Sequence, residues 1–132
     1  MKKKILIVLA SYYSDISLNL LKNAKSYLRS QSINNFKEIN VPGVFEIPVT
    51  IANRIKKYDG FIALGCVIKG QTPHFDFISR ATTDAIMKLS IDYKKPIGNG
   101  IITCLNKKQA ITRSKTKGRE AANAVCEVLS KL

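Results

Sequence analysis

The stretch Ala63-Leu64-Gly65-Cys66-Val67-Ile68-Lys69-Gly70-Gln71-Thr72-Pro73-His74-Phe75-Asp76 joins an apolar run to a glycine-punctuated turn and then to the chain's only histidine. Consecutive apolar positions predict a parallel strand covered on both faces. In open parallel sheets, ligands bind beyond the carboxyl ends of the strands, where loops turn into helices. Gly70-Gln71-Thr72-Pro73 reads as such a loop, and His74 as the opening of the next helix. Imidazole is the side chain that gives and takes protons near neutral pH.

The same alternation of strand and helix extends in both directions from this stretch. Lys4 to Ala10 reads as the first central strand, and Phe36 to Val41 and Ile97 to Cys104 as two more beside Phe61 to Ile68. Between them, Ile16, Leu20, Leu21, Ala24 and Leu28 recur at helical spacing, with Asp15 as the expected N-cap and an end near Ser30. Pro42-Gly43 supplies turn chemistry before a helix expected over Glu46 to Lys57, with Pro48 in its first turn. Phe75, Ile78, Thr82, Ala85, Ile86 and Leu89 define a long amphipathic helix to about Tyr93. Lys107 to Arg113 and Lys117 to Leu129 read as closing helices. Two glycines inside one strand, Gly98 and Gly100, call for close approach of a ligand, another backbone or a neighbouring subunit. The pattern is that of a small doubly wound α/β structure, and 132 residues predict one domain over 1–132.

Composition narrows the function classes. No run of about 18 apolar residues predicts a membrane span, and Met1-Lys2-Lys3-Lys4 before Ile5 to Ala10 lacks the length and cleavage site of a signal peptide, so a cytoplasmic protein without membrane contact is expected. Cys66, Cys104 and Cys126 have no Cys-x-x-Cys spacing, and one histidine does not complete a usual zinc set; no metal is expected. The net charge of +13 raises a nucleic-acid reading. Against it, lysine outnumbers arginine 17 to 5 and is spread from Lys2 to Lys131 without interleaved exposed aromatics or a nucleic-acid-binding motif. A diffuse positive field still attracts small phosphorylated substrates.

The four loops after the four strands gather at one sheet edge. They carry Tyr12-Tyr13, Gly43-Val44-Phe45-Glu46, Cys66 to His74, and the segment reaching Arg113 and Lys117. This supplies an aromatic face, a carboxylate, a histidine, two cations and a helix start whose free amides suit an anion near Gln71-Thr72. Taken alone, a histidine at a helix start is more commonly a cap or a surface residue, and Glu46 could simply favour the start of its helix.

Five motifs in order carry a resemblance. Pro42-Gly43-Val44-Phe45-Glu46-Ile47-Pro48, Leu64 to Asp76, Pro96-Ile97-Gly98-Asn99-Gly100-Ile101-Ile102-Thr103, Gln109-Ala110-Ile111-Thr112-Arg113 and Lys117-Gly118 resemble the motif set of the 6,7-dimethyl-8-ribityllumazine synthase family. The resemblance spans essentially the whole chain. It implies a flavodoxin-like doubly wound sheet of four mainly parallel strands with helices on both faces. It also implies a transferase of riboflavin biosynthesis, condensing 5-amino-6-(ribitylamino)uracil with 3,4-dihydroxy-2-butanone 4-phosphate without a cofactor.

By position in the motifs, Tyr12 resembles the ring that stacks on the pyrimidine, where the family more often has Phe or Trp. Val44, Phe45 and Glu46 match the segment that holds the ribityl chain, and Cys66, Val67 and Ile68 the strand end at the heterocycle edge. Gln71 and Thr72 match phosphate-binding amides, Arg113 the phosphate cation and His74 the proton-transfer residue. Asn99, Arg113 and Lys117 would come from a neighbouring subunit, which implies a homopentamer. The chain departs from the family at Asn99, where many relatives carry an aromatic residue, and in the short Ser114-Lys115-Thr116 stretch. With its first strand close to Met1, a free pentamer is expected over a sixty-subunit shell. Two rival readings are a non-catalytic flavin or lumazine carrier, which would not require both His74 and Arg113, and a basic nucleic-acid-binding protein.

Overall fold

The computed structural model describes residues 2–132. Four strands, β1 (Ile5–Ala10), β2 (Phe36–Val41), β3 (Gly60–Ile68) and β4 (Ile97–Cys104), form one sheet in the order β2-β1-β3-β4. All three pairings are parallel. Five helices connect and close it: α1 (Ser14–Ser30), α2 (Ile47–Arg54), α3 (His74–Tyr93), α4 (Lys107–Ser114) and α5 (Lys117–Leu129). This is the doubly wound arrangement expected from the alternating pattern, in the flavodoxin-like form that the resemblance implies.

The continuous apolar runs of β1 and β3 have their physical reason in two hydrophobic layers. Ile5, Ile7 and Leu9 point to the face covered by Leu20, Ala24 and Leu28 of α1 and Ala121, Ala122 and Val125 of α5. Leu6, Val8 and Ala10 point to the other face, with Ile47 and Ile51 of α2 and Ile86 of α3. Burying a side chain of this size contributes roughly 1.5–3 kcal/mol, so central strands without polar interruption hold both layers together.

Local chemistry sets the element ends. Lys94, in the left-handed region at φ 55°, ends α3, and Pro96 follows two residues later. Asn106 caps α4 by accepting from the Gln109 amide at 2.9 Å. Asp15 is not the N-cap of α1: Tyr13 occupies that position without a side-chain cap, and Asp15 lies in the first turn. There its charge still complements the helix dipole, and it pairs with Lys107 at 3.6 Å. The helix expected over Glu46 to Lys57 is divided, with a 3-10 turn at Val44–Glu46 before α2.

Of the three partners open to Gly98 and Gly100, another backbone is the one found. A Cβ on Gly98 would meet the Ala121 carbonyl of α5, and one on Gly100 would meet Leu64 and the Ala63 carbonyl of β3. No helix among the described residues is long and apolar enough to cross a membrane.

Candidate active site

The sheet order reverses between β1 and β3, the point where an open α/β sheet leaves a crevice beyond its strand ends. There, a cavity of about 340 Å³ is lined by Tyr12 and Tyr13 after β1, Gly43 to Phe45 after β2, and Cys66 to Ile68 of β3. Gly70 and Thr72 of the following loop and His74, Phe75 and Ile78 of α3 complete it. Larger clefts occur elsewhere. One of them, about 510 Å³, lies by Lys2, Ile5 and Leu129; it includes the first residue of β1 and sits away from the strand ends where the candidate groups converge.

Gly65, just before the cavity-lining end of β3, is a position of close approach. A Cβ there would lie 2.6 Å from a Val44 methyl and 3.1 Å from Ala10 Cβ, so only glycine lets the 3-10 turn settle on β3. The turn is closed at both ends: the Glu46 amide donates to the Gly43 carbonyl at 3.2 Å, and the Gly43 amide donates to Glu46 Oε1 at 2.9 Å. Val44 is buried beneath it, while Phe45 is 63% exposed.

Beyond β3, Lys69 donates its amide to the Cys104 carbonyl at 2.9 Å, and pairing resumes when Asp76 and Phe77 both donate to Pro73. The intervening segment, Gly70 to His74, is exposed. Its amides at Gln71 and Thr72 precede a 20-residue helix whose dipole favours an anion at that end. His74 is the first residue of α3 and opens on the same space.

Cys66 has a different character. Burial first, and then the Cys104 thiol, push its pKa up to about 12. The group is a neutral, weakly polar wall rather than a thiolate nucleophile. Tyr13 is likewise raised, chiefly by burial and further by Tyr12 and Cys66.

Tyr12, Val44, Phe45, Cys66, Val67, Ile68, Thr72 and His74 are thus brought around one cavity. Glu46, Gln71, Asn99, Arg113 and Lys117 do not line it. Glu46 commits one carboxylate oxygen to Gly43. Asn99 and Arg113 both attach to the outer edge of β4: Asn99 Oδ1 accepts from the Ile101 amide at 3.0 Å, and Arg113 Nη1 donates to the Thr103 carbonyl at 3.0 Å. Lys117 opens α5 after a turn that Asn23 fixes by donating to the Ser114 and Lys115 carbonyls. Phe75 and Ile78, read from spacing only as core-facing helix positions, are walls of the cavity. Their place in the first turn after His74 is the signal that marks them. Among the described residues, no cluster of three or more His, Cys, Asp and Glu side chains is poised to hold a metal.

A doubly wound α/β fold with a concave, mostly apolar cavity at its switch point and a few convergent polar groups is the build of a small-molecule enzyme. Its sequence relatives make the class specific. The model of the 6,7-dimethyl-8-ribityllumazine synthase family matches residues 2–132. The 6,7-dimethyl-8-ribityllumazine synthase of Bartonella tribocorum is 44% identical, over 94% of this chain and 87% of its own. That of Agrobacterium fabrum is 41% identical, over 97% and 93%, and that of Cutibacterium acnes 36% identical, over 98% and 81%. The chain belongs to the 6,7-dimethyl-8-ribityllumazine synthase family.

Proposed function

We propose that this protein condenses 5-amino-6-(ribitylamino)uracil with 3,4-dihydroxy-2-butanone 4-phosphate, releasing 6,7-dimethyl-8-ribityllumazine, inorganic phosphate and water. The observation that carries this reading is a single cavity in which an exposed aromatic ring, a strand end, a loop before a long helix and the only histidine converge. Tyr12 stacks on the pyrimidine, and the backbone of Cys66 to Ile68 meets the heterocycle edge. Val44, Phe45 and the uncommitted oxygen of Glu46 hold the ribityl chain. The amides of Gln71 and Thr72 bind the phosphate.

The chemistry asks for proton traffic and alignment. The pyrimidine's primary amine adds to the ketone and loses water to form an imine. Loss of a proton from carbon then expels phosphate, and the ribityl-bearing nitrogen closes the ring with loss of a second water. His74 takes and returns protons at these stages, and holding both substrates in one cavity converts a bimolecular encounter into a local one.

Asn99, Arg113 and Lys117 complete the site of a neighbouring copy. The outer edge of β4 carries the first two, bonded at Ile101 and Thr103, which suits a ring in which this edge faces the next subunit's cavity. The working unit is a homopentamer of single-domain chains in the cytoplasm, each site shared by two subunits. Exposed Phe77, Met87 and Ile91 on α3 supply apolar surface for such packing.

The test is to mix the purified protein with both substrates and follow lumazine fluorescence and phosphate release above the spontaneous condensation. Equal yields of the two products above background support the synthase. A folded oligomer without excess turnover that still binds lumazine supports a carrier.

A further inference from the structure

The Tyr12 ring is 77% exposed, and an exposed side chain samples rotamers on the picosecond-to-nanosecond scale. A stacking platform works only when its plane is held. The ring that meets Tyr12 is Tyr13, with centroids 4.9 Å apart and planes at 84°, an edge-to-face pair. Tyr13 is itself anchored. It is half-buried and packs against the hydrophobic layer of α1 and α5. Its carbonyl accepts from the Ser17 amide at 2.9 Å, and the Ser17 hydroxyl donates to the Ala10 carbonyl at 2.5 Å. One serine thereby ties the end of β1 to the first turn of α1, with the two tyrosines in the corner between them.

We infer that Tyr13 is a positioning residue: its anchored ring sets the plane of the exposed Tyr12 ring, and so the grip of the cavity on the flat pyrimidine. This rests on the proposed reading of Tyr12 as the stacking platform. Tyr13 lines the same cavity but acts through its neighbour, and burial pushes the pKa of its phenol up, further from the neutral range. An edge-to-face partner depends on the ring and not on the hydroxyl, so phenylalanine substitutes for it while an aliphatic side chain does not.

The experiment measures separate KM values for the two substrates and the quenching of lumazine fluorescence on binding, in the full-length oligomer. Tyr13→Leu raises the pyrimidine KM about two- to twelve-fold, the range that aromatic pairing supplies. It leaves the butanone phosphate KM within twofold and weakens quenching, and Tyr13→Phe restores both. Tyr13→Met is run beside Tyr13→Leu, so failure of one to fold leaves the other, and the phenylalanine variant stands as a separate test. In a Tyr12→Leu background the Tyr13 substitution adds nothing, because its effect passes through the missing ring.

An unchanged pyrimidine KM in Tyr13→Leu and Tyr13→Met overturns the inference. So does a Tyr13→Phe defect as large as that of Tyr13→Leu, or an undiminished Tyr13 effect without Tyr12. If Tyr12→Leu alone leaves both KM and quenching unchanged, the stacking reading falls and takes the inference with it. If Tyr12→Leu is impaired and the Tyr13 variants are silent, the inference alone falls.

Discussion

The Arg113 guanidinium donates through Nη1 to the Thr103 carbonyl at 3.0 Å and lies 3.8 Å from the Cys104 sulfur through the same nitrogen. The Cys104 carbonyl turns inward to receive the Lys69 amide, so its neighbour Thr103 turns outward, at the free edge of β4. Arg113 is therefore held against that edge by one arm of its fork. The remaining donors are available for an anion.

Replacing Arg113 by alanine is expected to raise the KM for the butanone phosphate about 10- to 100-fold, the loss typical of a hydrogen bond to a charged group. The pyrimidine KM should change little. Arg113→Lys should recover only part of the loss, since an ammonium cannot bridge the Thr103 carbonyl and a phosphate with a planar fork. Steady-state kinetics with each substrate varied in turn checks this; equal losses for both substrates would contradict the assignment.

His74→Ala is expected to lower kcat about 10²- to 10⁴-fold, the usual contribution of general acid–base catalysis. Substrate KM values should stay within a few-fold, because the helix start and loop amides do not depend on the imidazole. A variant with full turnover would remove His74 from the mechanism.

Cys66 is expected to resist alkylation at pH 8 while the protein is folded, and to react readily once it is unfolded. Its folded pKa of about 12 lies above the ordinary 9.0, so the folded chain keeps a proton that the unfolded chain releases. The stability this contributes is complete below pH 9 and is lost as the pH climbs towards 12. Iodoacetamide labelling read by peptide mass checks the first statement. A Cys66→Ala variant whose stability falls less steeply across that alkaline window checks the second.

Two glycine substitutions separate stability from function. Gly98→Ala sets a methyl against the Ala121 carbonyl of α5, and overpacking of this kind costs about 1–3 kcal/mol, visible as a lower denaturation midpoint. Gly65→Ala drives into Val44 and tilts the 3-10 turn. Its effect is expected in the pyrimidine KM as well as in stability.

The fold was legible because the apolar runs of β1 and β3 end at polar or glycine-bearing turns, Pro42-Gly43 closes the more polar β2, and the long helices show their spacing. The split of Glu46 from α2 was not, because it depends on the carboxylate returning to the Gly43 amide, a contact with no periodic trace. Asp15 has the right residue type for a cap, but the Ser17 amide already bonds to the Tyr13 carbonyl, which starts the helix earlier. The cavity-lining residues follow from topology, since strand ends must converge. Arg113 and Asn99 were singled out only through motif order, and neither spacing nor composition reveals that both bond to the edge of β4. Tyr13 stood in view beside Tyr12, but nothing in a dipeptide tells which ring is anchored and which is free.

The cavity's two principal walls follow β1 and β3, which are joined only after a long detour of chain. The Lys4 amide reaches the Asp59 carboxylate across 55 residues, immediately before the first paired residues of the two strands. Contacts so distant in sequence form slowly, because the chain entropy of the loop is lost before they are made. No fragment holding only the first βαβ unit contains this crevice. In a refolding experiment, ligand binding should therefore return no earlier than the completion of the sheet, well after helical signal.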